Sequence, residues 1–96
     1  MKPSAALATH RGALRQLVSR YDLIHPRVFG SVVTGNDTEG SDLDLLVEPS
    51  DSTTLLTIAG LQIDAEALLG VAVDVLTPNS LPPKFRDKVL RQAQPL

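Results

Sequence analysis

The chain has 96 residues, 43% of them apolar, a formal charge of −2 and no cysteine. That is enough for one small domain with a single core, marginal in stability and open to a partner that buries more surface. It excludes disulfides, thiolate metal sites and a global basic field for gripping a nucleic-acid backbone, and no apolar run approaches the roughly 20 residues of a membrane span, so a cytoplasmic protein is expected.

In chain order, residues 5–21 predict an amphipathic helix, with Leu7, Leu14, Leu17, Val18 and Tyr21 on one stripe and Arg11, Arg15 and Arg20 off it. Pro26 closes the connection that follows, and Arg27, Val28 and Phe29 start a short strand ended by Gly30 and Ser31. Residues 34–41 form a polar loop with two glycines. The run 42–47 is a second strand, closed by Pro49. Ser50 to Thr54 supply N-cap residues for a helix whose face is Leu55, Ile58, Leu61, Ala65 and Leu68, with Gly70 as its C-cap. Residues 71–76 are β-branched and strand-like. Pro78, Pro82 and Pro83 lead into a last helix with Phe85, Val89 and Ala93 four apart. Helix, strand, loop, strand, helix, strand, helix predicts an α/β fold, a small mixed sheet with flanking helices.

The informative stretch is residues 30–44. Strand alternation puts Asp42 and Asp44 on one side and Leu43, Leu45 and Val47 on the other, in the core. Two adjacent carboxylates repel unless a cation sits between them, and a hard ion such as magnesium takes one or two carboxylates plus substrate phosphates. Gly30 allows close approach of a ligand or another backbone, and Ser31 offers a hydroxyl and, if a helical turn starts there, free amides for a phosphate. The same residues also suit a plain strand end with a helix cap, and an isolated Asp-x-Asp also suits a polar strand face. Asp37 and Glu39 read as solvated loop residues, His10 and His25 as surface or packing residues, and Arg86, Lys88 and Arg91 as a solvated helix face.

Gly-Ser, ten residues, then Asp-x-Asp, with Val73-Asp74-Val75 downstream, resembles the DNA polymerase beta-like nucleotidyltransferase superfamily, above all its minimal nucleotidyltransferases. The likeness runs from about Arg27 to Leu96, including the ending from Phe85 to Leu90 followed by Ala93. It implies a palm-like core in one domain over 1–96, divided into an N-terminal helix (1–22), a catalytic core (27–78) and a C-terminal helix (82–94). It implies Asp74 as a third carboxylate, acting as metal ligand, general base or both. It implies two magnesium ions held by Asp42, Asp44 and Asp74, and ATP with its β- and γ-phosphates at Gly30 and Ser31. Minimal members commonly accompany a HEPN-domain toxin and adenylylate one of its tyrosines, so the resemblance implies an antitoxin of that kind in a hetero-oligomer. The rival expectations are an antitoxin that only covers a HEPN ribonuclease, and transfer to a small molecule, for which the chain has no room for an acceptor domain. Thr34 stands where many members carry a basic residue, a departure that bears on catalytic strength rather than fold.

Overall fold

The computed structural model describes residues 1–96. Its elements are α1 (Pro3–Arg20), β1 (Ile24–Phe29), α2 (Ser31–Thr34), β2 (Leu43–Glu48), α3 (Leu55–Leu69), β3 (Val73–Leu76), a 3-10 turn (Pro78–Ser80), α4 (Pro83–Gln92) and β4 (Gln94–Pro95). The sheet order is β3-β2-β1-β4. β2 and β3 are parallel, joined by α3, and β1 is antiparallel to both β2 and β4. The fold is thus the expected mixed sheet with flanking helices, and no helix is long and apolar enough to cross a membrane.

The core lies between one sheet face and α1 with α3. It gathers Leu7, Leu14 and Val18 with Leu43, Leu45, Val47, Leu61 and Ala65. The predicted alternation of β2 is seen in the burial of Leu43, Leu45 and Val47. Leu46 is fully buried as well, although it faces the other way. It forms a second cluster with Phe29 and Leu81, packed by Val89, Leu90 and Ala93 of α4 and its flank. The outer face of the sheet is therefore half apolar under α4 and half polar.

Several boundaries differ from expectation. The N-terminal helix spans Pro3–Arg20 rather than 1–22, because Pro3 needs no intrahelical partner for a missing N–H at the first turn. Pro26 lies inside β1, not ahead of it. The register slips between Ile24 and Arg27, His25 takes φ 52°, and the Pro26 carbonyl accepts from the Leu96 amide at 3.0 Å. The bulge lets the strand accommodate a residue with no donor. The third strand begins at Val73, two residues late, and the last helix ends at Gln92 because residues 94–95 pair with Val28 and Arg27. α3 is capped as expected, by a Thr54–Thr57 capping box and by Gly70 at φ 72°. Leu55 is not on its inner face, however. Leu61, Ala65 and Leu69 are buried, and Leu55 is 88% exposed. Phe85 is also half exposed, under the Lys84 ammonium, and Arg86 turns inward instead, donating Nε to the Pro78 carbonyl at 2.8 Å.

The loop before β2 is fastened to α1. Asp37 is buried, and its carboxylate accepts from the Ser4 amide at 2.8 Å, satisfying one of the open donors of the first turn of α1. The expectation of a solvated Asp37 fails for this reason. The Ser4 backbone amide, then the Ser4 side chain, hold the Asp37 carboxyl below its ordinary pKa. A group lowered on folding stabilises above its unfolded pKa, and that contribution fades as pH falls through the folded value. Asp37→Ala is expected to lower the melting temperature at neutral pH, with the gap to wild type closing on acidification. Thermal melts from pH 7 down to pH 3 check this, and a gap independent of pH counts against the carboxylate's role.

Candidate active site

The chain turns sharply after β1. Gly30 has φ 76° and ψ −146°, a conformation open to glycine and strained for other residues. The four-residue α2 follows at once, with the Val33 and Thr34 amides returning to the Gly30 carbonyl at 3.0 and 3.1 Å. As in any helical turn, the first amides, here of Ser31 and Val32, have no intrahelical acceptor. Gly35 closes the turn in the left-handed region.

Beside this turn the sheet sets a row of three paired residues. Phe29 pairs with Asp44 across β1 and β2, and Asp44 pairs with Asp74 across β2 and β3. Residues directly opposite in a sheet share a face. Asp74 is exposed between the buried Val73 and Val75. Asp42 lies one residue ahead of β2, where the Leu43 amide donates to the Ala72 carbonyl at 2.9 Å. Two residues from Asp44, it projects from the same side.

Asp44 is the inner carboxylate of the group. A Cβ placed on Gly30 would stand 2.2 Å from the Asp44 Oδ2. Gly30 thus makes room for this carboxylate as much as for any ligand, a contact invisible in the spacing alone. Burial, then the charge of Asp74, then that of Asp42 push the Asp44 carboxyl up to about 6.

All five expected residues, Gly30, Ser31, Asp42, Asp44 and Asp74, thus come to one end of the sheet, on the open half of the α4 face. No three acidic or histidine side chains stand in a ready-made ion cage. The donor chemistry nevertheless fits a hard divalent cation: oxygen ligands only, with Asp44 crowded by two other carboxylates. The sequence supports the same point, because between Val28 and Pro83 it has nine acidic residues and no lysine or arginine. Thr34 brings no charge either, and its hydroxyl turns back to the Gly30 and Ser31 carbonyls.

His25 is exposed and contacts Glu48 through Nδ1 at 2.8 Å, far along the strand from Asp44. Lys88 and Arg91 are exposed. Arg27 reads from the sequence only as a strand residue. Its side chain is 12% exposed on the α4 face, pairing with Glu48 at 3.1 Å while its Nε finds no acceptor. A lone arginine in a strand gives no sequence signal of such burial. Tyr21 packs against Gly60, as a packing role predicts, and its hydroxyl bonds Asp64.

Comparison with known proteins adds independent findings. The model of the nucleotidyltransferase domain family matches residues 7–96. The chain is 37% identical over 86 residues to the protein adenylyltransferase MntA of Thermococcus cleftensis, covering 90% of this chain and 84% of that protein. A solved structure described as a minimal nucleotidyltransferase superposes with a TM-score of 0.86 at 44% identity, covering 97% and 95% of the two chains. A toxin–antitoxin crystal structure with AMP-PNP shares the fold at a TM-score of 0.72 and 22% identity, over 83% of this chain and 66% of that one.

The state of Asp44 gives a direct test. Its carboxyl is raised on folding, so the folded protein binds the proton more tightly, and stability falls as pH rises from about 4 through about 6. At about 1.4 kcal/mol per pKa unit the full shift would be near 3 kcal/mol, and half exposure reduces this to about 1 kcal/mol. Asp44→Asn is therefore expected to be more stable than wild type by about 1 kcal/mol at pH 7 without divalent ions, and equal to it near pH 4. Added magnesium should narrow the gap by stabilising wild type alone. Melts at both pH values check it, and a destabilised Asp44→Asn at pH 7 refutes the crowded-carboxylate account.

Proposed function

The chain belongs to the nucleotidyltransferase domain family and is a transferase, and from that premise we propose that it moves AMP from ATP onto a tyrosine of a HEPN-type toxin. The observation that carries the chemistry is the seating of the Asp44 carboxylate against Gly30 with Asp74 paired beside it. The acceptor class is supported by the relative named as a protein adenylyltransferase and by the fold shared with a toxin–antitoxin structure holding AMP-PNP.

In this reading Asp42, Asp44 and Asp74 hold two magnesium ions. When bound, such ions neutralise the triphosphate and polarise the attacking oxygen. The chain's own residues do the rest. The amides at the start of α2 and the Ser31 hydroxyl receive the β- and γ-phosphates, which Gly30 lets come close. The tyrosine oxygen attacks the α-phosphorus, the bond from that phosphorus to the bridging oxygen of the β-phosphate breaks, and pyrophosphate leaves. The phenolic proton passes to Asp74 or to solvent water. The added phosphate then places negative charge on the toxin, where it repels RNA.

The absence of any base between Val28 and Pro83 favours one rival, an antitoxin that binds the toxin and does not modify it. Co-expression separates the two. With the wild-type chain, the intact mass of the toxin should rise by AMP less water per modified tyrosine, and with Asp42→Asn it should not. A toxin that stays unmodified in both cases, yet bound and inactive, establishes the rival.

Gly30→Ala gives a finer test. Its positive φ should cost about 1–2 kcal/mol, leaving the protein folded. Its Cβ would displace the Asp44 carboxylate, so transfer should fall as far as in Asp44→Asn. Near-normal turnover in Gly30→Ala would remove the link between turn and carboxylate.

A further inference from the structure

The face of the molecule opposite the carboxylates has a charge pattern that the transfer chemistry does not use. α1 carries Arg11, Arg15 and Arg20 and no acid, and α3 carries Asp64 and Glu66 and no base. None of these three arginines forms an ion pair within the chain, and neither does Asp64, whereas Glu66 is already used, accepting from the Val73 amide at 3.0 Å. Arg20 and Asp64 stand on the two walls of a groove of about 290 Å³ between the helices, floored by Leu17 and Leu68. Beside the groove α3 presents an apolar stripe to solvent. Leu56, Ala59, Ile63 and Ala67 share one side by their spacing, with Leu56 83% and Ile63 66% exposed. The exposed side of α1 away from the core is low, with Ala5, Ala8 and Gly12 on it, so another helix can approach closely. In a chain of this size, large side chains left this open on one helix mark an interaction surface.

We propose that this face is a self-association surface, on which two copies of the chain meet back to back through α1 and α3. The occupant follows from charge. A basic helix beside an acidic helix is complementary to itself under a two-fold axis, which lays α1 of each copy on α3 of the other. Arg20 of one copy then meets Asp64 of the second, and Leu56 and Ile63 seat over the small residues of the facing α1. The Asp42, Asp44 and Asp74 faces point outward on both sides, because the sheet separates them from this surface. Each copy keeps its open site, so the pair presents two acceptor sites at once.

Sedimentation of the full chain tests the proposal, and the readout is mass, independent of nucleotide or acceptor. Wild type should show a concentration-dependent dimer that weakens with added salt. Leu56→Glu with Ile63→Glu should be monomeric yet still folded, with a cooperative melt, because both side chains are solvent-exposed. Arg20→Glu alone should weaken the dimer roughly tenfold through repulsion from the second copy's Asp64. Asp64→Arg alone should do the same, and Arg20→Glu with Asp64→Arg should restore association. Since Asp64 also receives the Tyr21 hydroxyl, Asp64→Asn serves as a second variant that keeps an acceptor there and should lose the salt dependence. A wild-type chain that is monomeric up to its solubility limit overturns the proposal. So does a dimer that the stripe substitutions leave intact, or a charge-swapped pair that does not recover.

Discussion

The site depends on one crowded position. Asp44 sits between Phe29 and Asp74 in the sheet, under a turn that only glycine can make without striking its carboxylate. Everything around it serves to hold a charge where charge is unfavourable. β2 is anchored by Leu43, Leu45 and Val47 on one side and by Leu46 on the other, so the strand cannot slide to relieve the repulsion. A one-residue slip would place three apolar side chains on the open face and the carboxylates in the core. The electrostatic cost is thus stored by packing, and in the proposed reading a bound cation would release it.

The polar half of the sheet face was legible because strand alternation is strict and because Asp42, Leu43, Asp44 and Leu45 obey it over their whole length. The third carboxylate was legible only by resemblance, since alternation around Asp74 says no more than that it faces away from the core. What the sequence hid was non-local. Leu46 looks misplaced until α4 covers it, and Asp37 looks solvated until the first turn of α1 arrives to use it. Leu55 fits a helical face by spacing, yet it is the first residue of the helix and stays exposed, and burial begins only at Leu61. Pro26 reads as a stop because it lacks a donor, and the bulge at His25 removes the need for one. In each case tertiary context overrides local propensity.

Charge is distributed by element. Lysine and arginine are confined to Lys2, α1, Arg27 in β1 and α4, and the segment from Val28 to Pro83 carries only acids. A site made this way cannot attract a triphosphate by its own field, so recruitment depends on counter-ions or on a partner. The same segregation leaves α1 and α3 as oppositely charged neighbours on the rear face, where they contribute nothing to the transfer chemistry.

The bond from the Ser4 amide to Asp37 joins residues 33 apart, and it ties the loop leading into Asp42 to the first turn of a helix. Helix ends fray more readily than sheet strands open. The loop therefore inherits the stability of the outermost turn of α1 rather than that of the core. Hydrogen exchange at the single amide of Ser4 is accordingly a gauge of how often the approach to Asp42 comes undone while the sheet beneath it stays whole.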